Sequence, residues 1–323
     1  MEKSQGGKQV PKFDAVFVGL TILDIAGRPV SKIPDGGGVA FIDEIRLNPA
    51  GTAAGAVMNA AKLGASTATV ACLGADEKGD LILDFYRRFG IDCSFVQRTD
   101  KAATSATILT IRPNGERPAL HCRGASDHLF IDEAEFDAVC DARVLHHGGT
   151  GLLAAMDGGQ SARLLRHAKA KGLTTTFDLI APNDTTLALL TDLLPSVDYF
   201  MPSLEEAAFL SGRDDPGDAA SFFMDRGAGA CIFKMGDKGS FTRTRDGAFR
   251  TPAFKVPVSD TTGCGDAYCG GFVVGLVEGL GLEAACRLGA AAAALVATGL
   301  GSDAGVRNRA QVEAFMAATP TLA

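Results

Sequence analysis

The sequence lacks the excess of basic residues that nucleic-acid-binding proteins need. Lysine and arginine number 31 and aspartate and glutamate 38, so the formal net charge at pH 7 is −7. Because a nucleic-acid site needs a basic stripe to neutralise phosphates, this balance argues against such a partner. It does not exclude a small phosphate-bearing ligand, since backbone N–H groups and a metal ion can bind phosphates locally.

The sequence also lacks paired cysteines and long apolar runs. Its eight cysteines include no C-x-x-C pair, so neither a zinc ribbon nor a thioredoxin-type redox site is indicated. Residues 1–12 contain no apolar signal-peptide core. The most apolar long stretch, residues 284–301, contains Arg287 and consists mainly of alanine and glycine, which indicates a buried helix rather than a membrane span. These absences predict a soluble, reduced, cytoplasmic protein with no membrane partner.

Two common nucleotide-binding motifs are missing. No G-x-x-x-x-G-K-[ST] sequence occurs, which excludes a P-loop enzyme. No G-x-G-x-x-G sequence follows the first predicted strand, which makes a dinucleotide-binding oxidoreductase a weak hypothesis. With 323 residues, of which 46% are hydrophobic, the chain is long enough for one large α/β domain, alone or with a small appendage.

Two strand-rich segments in the first half of the chain predict a small, separate sheet. Residues 24–48 carry many glycines and prolines and are interpreted as an irregular or antiparallel insertion. Residues 104–123 contain two strand patterns around a Pro-Asn-Gly turn, which is typical of a hairpin. We expect these segments to pair into a lid on a domain of residues 13–323, preceded by a flexible tail at residues 1–12.

The second half of the chain alternates between strand and helix patterns. Apolar strands are predicted at residues 144–147, 173–179, 197–201 and 230–235, with helical patterns between them. Apolar strands alternating with helices predict an α/β fold with a central, mainly parallel sheet and helices on both faces. Ligands of such folds bind at the carboxyl ends of the strands.

The most informative segment begins at Asp260 and reads D-T-T-G-C-G-D-A. It follows a predicted strand at residues 254–258 and precedes a small-residue stretch, residues 267–279, that is predicted to be a helix. A single G-x-G-D at a strand–helix junction would indicate no more than a capped turn, whereas the whole octet is far more specific.

The residue types in this segment suit the binding of an anion and the removal of a proton. Gly263 and Gly265 on either side of Cys264 let backbone N–H groups converge at the start of a helix, where the helix dipole also favours negative charge. Asp266 follows directly and can accept a proton from an attacking hydroxyl group. We therefore predict an anion hole at residues 263–265 with Asp266 as the general base.

The octet resembles the D-T-x-G-A-G-D signature of the ribokinase-like (PfkB) carbohydrate and nucleoside kinases. Cys264 is the single change within the match, and we expect it to be tolerated because cysteine is small and the hole uses its backbone N–H. The resemblance extends over residues 14–316. It implies transfer of the ATP γ-phosphoryl group to a hydroxyl of a sugar-like substrate, with Mg²⁺ as cofactor.

The resemblance also implies a substrate site near the start of the chain. Asp24 matches an aspartate that binds two substrate hydroxyls, although the residue alone would be read as a surface loop aspartate. Gly51 and Thr52 match the family's first glycine-rich signature. This signature is altered, because Ala50 replaces a glycine and Gly55 replaces an asparagine. The loss of the asparagine leaves the identity of the sugar open.

Other matches imply sites for metal ions and nucleotide. Glu206 matches a glutamate that organises Mg²⁺ through water, with Ser203 in place of the usual asparagine; the competing interpretation of Ser203 is a helix-capping serine. Asp260 and Thr262 match positions that shape a monovalent-cation site, for example for K⁺, in several family members.

The segment from Lys234 through Gly236 to Gly239 resembles the loop where a strand gives way to nucleotide-contacting backbone. A plain hairpin turn is the competing interpretation of this segment, and both can be true together.

Two alternatives to a sugar kinase remain open from the sequence. The substrate could be a nucleoside such as adenosine, or the protein could be a non-catalytic sensor of sugars or nucleotides. The intact Asp266 and glycine-rich turn argue against the sensor. A homodimer through the lid strands is also expected, since exposed edge strands favour pairing.

Overall fold

The computed structural model of the protein describes residues 10–322. Most of the predicted N-terminal tail, residues 1–9, lies outside the described residues. The strands are β1 (Phe13–Gly19), β2 (Ile22–Arg28), β3 (Glu44–Ala50), β4 (Thr67–Gly74), β5 (Asp92–Thr99), β6 (Ala106–Thr110), β7 (Ala119–Cys122), β8 (Ala142–Gly148), β9 (Thr174–Asp178), β10 (Tyr199–Phe200), β11 (Ala230–Lys234), β12 (Ser240–Arg243) and β13 (Ala248–Thr251).

Helices connect most of the strands. They are α1 (Thr52–Lys62), α2 (Glu77–Arg88), α3 (Phe136–Val139), α4 (Ala154–Asp157), α5 (Gln160–Ala170), α6 (Thr186–Leu193), α7 (Leu204–Ser211), α8 (Pro216–Met224), α9 (Cys264–Val277), α10 (Leu282–Val296) and α11 (Arg309–Ala318). Short 3₁₀ turns lie at Ala125–His128, Glu133–Glu135, Leu194–Ser196 and Gly236–Lys238. Within residues 10–322, no helix is both long enough and apolar enough to cross a membrane.

The main sheet has nine strands in the order β13-β12-β11-β10-β9-β8-β1-β4-β5. The pairs from β11 through β5 are parallel, and only β11–β12 and β12–β13 are antiparallel. Both faces are covered. In β1, Val16 and Val18 pack into one core with α5–α8, and Ala15 and Phe17 pack into the other with α1, α2, α9 and α10. A strand buried on both faces must be apolar throughout, which is the pattern seen in the sequence.

The small sheet has the order β3-β2-β6-β7. β2 pairs antiparallel with β3 and parallel with β6, and β6 pairs antiparallel with β7. Asp24 is opposite both Asn48 and Thr107 in this register. The predicted α/β fold and the pairing of the two strand-rich segments into a small lid sheet are therefore confirmed.

Helix α9 carries the functional motif at its start and packs tightly against α10. A Cβ atom on Gly271 would lie 2.9 Å from the Cα of Gly289, so the two helix backbones touch at a point where no side chain fits. This contact fixes the axis of α9, and with it the position of its first turn, relative to the rest of the core.

Two local predictions were wrong, and some strands were missed. Residues 254–258 do not form a strand, because only Phe254 is bridged, to Thr321. β5 and the β12–β13 hairpin were not predicted. α9 begins at Cys264 rather than at residue 267, so the glycine-rich turn is part of the helix start itself.

Candidate active site

The carboxyl ends of four strands of the main sheet meet the start of α9. Gly19 on β1 pairs with Gly148 on β8, which pairs with Asp178 on β9, so these strands end at the same level. β11 ends at Lys234 on the same edge. The sheet thus brings polar groups from distant parts of the chain to the N-terminus of α9, as expected for a parallel α/β fold.

The start of α9 is open to an anion. Gly263 has φ 74°, and a Cβ at this position would lie 2.2 Å from the Cβ of Ser302, so glycine is required. No side chain caps the helix, and within residues 10–322 the N–H groups of Gly265 and Asp266 have no acceptor. The N–H of Cys264 instead lies 3.3 Å from the carbonyl oxygen of Thr261. Free N–H groups at a helix N-terminus attract negative charge.

Asp266 lies in this turn as a half-buried residue, and the groups around its carboxyl group are mainly acidic. Desolvation together with the negative charges of Asp178, Asp24 and Glu206 raises its pKa to about 7, and the ammonium of Lys234 opposes this rise. A carboxyl group with a pKa near 7 is partly ionised at neutral pH and suits proton transfer.

Gly55, one of the departures from the family signature, gives Asp266 its space. A Cβ at position 55 would lie 2.7 Å from the Oδ2 atom of Asp266. Because Gly55 has no side chain, the carboxyl group of Asp266 can pack directly against the backbone of α1 at this position.

Asp24 is a strand residue rather than a surface loop aspartate. It lies on β2 with only 4% of its surface exposed, and its Oδ1 atom has no hydrogen-bond partner among the described residues. Burial raises its pKa to about 7, although a hydrogen bond with Thr107 opposes the shift. A buried oxygen without a partner marks a place where a ligand hydroxyl or a water completes the hydrogen bonding.

Gly51 and Thr52 form the start of α1 behind this site. Gly51 has φ 96°, and a Cβ there would lie 2.6 Å from the carbonyl oxygen of Leu20, so only glycine fits. Thr52 is buried, and its hydroxyl oxygen has no partner among residues 10–322. The α1 start and β2 thus each present an unsatisfied polar atom.

Lys234 is turned into the protein rather than toward the surface. Its Nζ atom donates to Oδ1 and Oδ2 of Asp178 at 2.7 and 2.6 Å. Gly236 and Gly239 have φ angles of 59° and 78° and form the turn between β11 and β12. The hairpin interpretation is correct, and a role for this backbone in nucleotide binding stays a prediction.

Glu206 and Ser203 form a capping box at the start of α7. The Ser203 hydroxyl accepts the N–H of Glu206 at 3.1 Å, and Glu206 Oε2 accepts the N–H of Ser203 at 2.9 Å. Burial and then Asp178 raise the pKa of Glu206, and Lys234 lowers it. Ser203 therefore does cap the helix, as the competing interpretation expected.

These residues fit a magnesium ion held indirectly. Across residues 10–322, no three His, Cys, Asp or Glu side chains form a ready metal cluster. A half-buried carboxylate such as Glu206 suits binding through water, which is common for Mg²⁺ because the ion retains several waters.

Asp260 ties the turn before α9 to the loop before α11. Its Oδ1 atom accepts the N–H and hydroxyl of Thr262 at 2.9 and 2.7 Å, and its Oδ2 atom accepts the N–H of Gly301 at 3.0 Å. The carboxylate is thus engaged by three donors. Ser302, next in this loop, accepts from Asn48 and donates to the carbonyl of Pro49, so the same loop also contacts β3.

Two polar residues at the site were not predicted to have a role there. Asp178 ends β9, and the sequence feature that could have identified it is a single acidic residue at the end of an apolar strand pattern. Arg117 follows a glycine and a glutamate in the lid hairpin, and its Nη1 atom donates to the hydroxyl of Thr261 at 2.6 Å. Burial raises the pKa values of Asp24 and Cys264, and the positive charge of Arg117 opposes both rises, so the lid contributes a cation to the site.

Comparisons with known proteins identify the family and the fold. A family model described as pfkB family carbohydrate kinase matches residues 12–309. The chain is 28% identical to fructokinase-2 of Oryza sativa subsp. japonica over 261 residues, or 77% of each protein. It is 27% identical to ribokinase of Haemophilus influenzae over 276 residues, or 82% of this chain and 86% of the relative. The solved structure of Arabidopsis thaliana ribokinase complexed with ribose and ATP superposes with a TM-score of 0.79 at 22% identity, covering 95% of this chain and 99% of that one.

Proposed function

Because this chain belongs to the pfkB family of carbohydrate kinases, we propose that it transfers the γ-phosphoryl group of ATP to a hydroxyl of a sugar or sugar-like substrate. The similarity to a fructokinase and a ribokinase favours a sugar over a nucleoside, since both relatives are named for sugars. The unpartnered oxygens of Asp24 and Thr52 support a ligand rich in hydroxyl groups.

In the proposed reaction a substrate hydroxyl oxygen attacks the γ-phosphorus. The new O–P bond forms as the bond from the γ-phosphorus to the bridging oxygen of ADP breaks, and the hydroxyl proton passes to the carboxylate of Asp266. ADP leaves with the electron pair of the broken bond. Such a transfer needs mainly positioning and charge stabilisation.

The observation that carries this proposal is the position of Asp266 on the first turn of α9. Its carboxyl group has a pKa raised to about 7, and the free N–H groups of residues 265 and 266 adjoin it. A base and an anion hole at one helix start match the two demands of phosphoryl transfer, proton removal and stabilisation of transferring charge.

The remaining residues are assigned supporting roles. Asp24, Gly51 and Thr52 bind the sugar, and the turn containing Gly236 and Gly239 contacts the nucleotide. The hydrogen bond from Arg117 to Thr261 supports a lid that closes on the site and excludes water, a competing acceptor of the phosphoryl group.

Metal ions have two proposed positions. Glu206 would hold Mg²⁺ through water, and the bound ion would neutralise charge on the phosphates. Asp260 and Thr262 would shape a site for a monovalent cation such as K⁺. Comparing turnover in potassium and tetramethylammonium salts tests the second position.

The lid sheet supports a homodimer. Leu47, Ile25, Ile108 and Leu120 are paired in one row across all four strands. Leu47, Ile108 and Leu120 are 43%, 47% and 67% exposed, so the row is an apolar stripe on the outer face. A second copy of this sheet would bury the stripe against its own equivalent, as in an isologous interface.

The function is tested by ADP release from ATP and Mg²⁺ with a panel of sugars, sugar acids and nucleosides. We expect turnover with one sugar or sugar acid, and a loss on the order of 10²–10⁴ in kcat for Asp266→Asn. Turnover with a nucleoside alone would replace the sugar by a nucleoside. Binding of ATP with no turnover of any panel member would favour the sensor, and an Asp266→Asn variant with wild-type kcat would refute the base.

A further inference from the structure

An ion pair lies directly beneath the anion-binding turn. Lys234 Nζ donates to both carboxylate oxygens of Asp178, and their side chains are 14% and 1% exposed. The thiol of Cys269, on the second turn of α9, donates to Oδ2 of Asp178 at 3.4 Å. The pair thus connects the ends of β9 and β11 to the helix that carries Asp266.

The ammonium group lies against the turn itself. A Cβ on Gly265 would lie 3.1 Å from Lys234 Nζ, so the ammonium group packs directly against the backbone of this turn. Gly265 is adjacent to Asp266 and supplies one of the free N–H groups. Positive charge from Lys234 therefore adds to the positive end of the helix dipole at the same point.

The surrounding groups are predominantly acidic. Asp178 on β9, Glu206 on α7 and Asp24 on β2 all act on Asp266 as negative charges, and Lys234 on β11 acts as a positive one. The thiols of Cys264 and Cys269 also lie near Asp266 on its own helix. A phosphoryl group brings further negative charge into this environment, so a resident cation has an electrostatic role that hydrophobic residues could not fill.

We propose that Lys234, held by Asp178, is a positioning residue for phosphoryl transfer, whose ammonium group balances the negative charge of Asp266 and of the group being transferred. This proposal rests on the proposed function and extends it. A purely structural role is the alternative. Buried ion pairs are on their own weak contributors to stability, because desolvation offsets their attraction.

Three variants separate these roles. Lys234→Met removes the charge and keeps the length, and Lys234→Arg keeps the charge. Lys234→Met with Asp178→Asn removes both charges, so no unpaired buried carboxylate remains. Lys169→Met is the matched control, because Lys169 forms a Lys–Asp pair with Asp198 away from the site.

The first readout needs no turnover. The carboxyl group of Asp266 is titrated by NMR in protein labelled with ¹³C-aspartate, and its signal is assigned by its absence in Asp266→Asn. We expect Lys234→Met to raise the pKa of Asp266 by about one unit or more, and the double variant to return it toward the wild-type value. An unchanged pKa in a folded Lys234→Met variant overturns the proposal.

The second readout is kcat with the sugar substrate at pH 8.5. We expect losses of about tenfold or more for Lys234→Met and for the double variant, partial recovery in Lys234→Arg, and wild-type values in Lys169→Met. If Lys234→Met does not fold, the double variant decides between the two roles. The proposal is overturned if the kcat of the double variant lies within about threefold of the wild-type value. Wild-type protein without turnover would count against the proposed function, whereas the titration of Asp266 would still decide the role of Lys234.

Discussion

Replacing Asp266 by asparagine should change turnover and stability in opposite directions. The carboxyl group of Asp266 is half-buried among other carboxylates, and desolvation and their negative charges together raise its pKa from the ordinary 3.8 to about 7. The folded chain therefore retains a proton on Asp266 at pH values where the unfolded chain has released it. Asparagine keeps the shape of the side chain and carries no charge, so it removes this effect along with the base.

The sign and size of the stability change follow from linkage. Below about pH 4 the carboxyl group is protonated in both states and contributes no difference. Between pH 4 and pH 7 the folded state binds more protons, so the free energy of unfolding falls as pH rises. Because each pKa unit corresponds to about 1.4 kcal/mol, the ionised carboxylate of Asp266 destabilises the fold by up to about 4 kcal/mol above pH 7.

Thermal unfolding at pH 5 and pH 8 measures this effect. We expect Asp266→Asn to raise Tm by at least about 4 °C at pH 8 and by much less at pH 5, since about 1 kcal/mol corresponds to about 2–4 °C in a domain of this kind. Asp246→Asn, which changes an exposed aspartate in the β12–β13 turn, is the control for loss of one charge. An equal or lower Tm for Asp266→Asn at pH 8 would refute the electrostatic reasoning.

Three further results are expected. Because Asp24 and Asp266 both have a pKa of about 7, kcat/KM of the wild-type protein should fall by up to about a hundredfold per pH unit well below pH 7, and kcat/KM of Asp24→Asn by about tenfold per pH unit. Identical slopes in the two pH profiles would contradict this. Gly263→Ala should lower kcat by about 10²-fold or more, because its Cβ overlaps the loop before α11. Cys264→Ala should keep kcat within about threefold of wild type. Equal losses of ADP release in the two variants would contradict this. Light scattering should show a dimer that Leu120→Lys converts to a monomer, and an unchanged mass would argue against the lid interface.

Predictions from local pattern succeeded where the physical cause is local. A two-sided apolar strand such as β1 and a glycine-rich helix start such as that of α9 are specified by a few consecutive residues. The parallel sheet followed from the alternation of such segments. The candidate site was predicted at the carboxyl edge of this sheet for the same reason, and the motif that begins at Asp260 does lie there, while its catalytic role stays a prediction.

Predictions failed where neighbours in space decide the outcome. The edge strand β5 is only partly buried along its length, so its sequence shows no clear apolar face until β4 supplies a partner. Residues 254–258 carry a strand-like pattern, but only Phe254 finds a bridging partner. A strand is defined by hydrogen bonds to another segment, which no window of sequence contains.

The sequence by itself determined the fold class, the glycine-rich turn at the start of α9 and the identity of the candidate base, because each depends on backbone conformation and residue type within a short segment. Only the tertiary structure decided the charge around that base. It joins Lys234 to Asp178 across 56 residues of chain and Arg117 to Thr261 across 144. It also buries Asp24, which the sequence alone would assign to a surface loop. Electrostatic interactions depend on distance and burial in space, and neither quantity is contained in the order of residues along the chain.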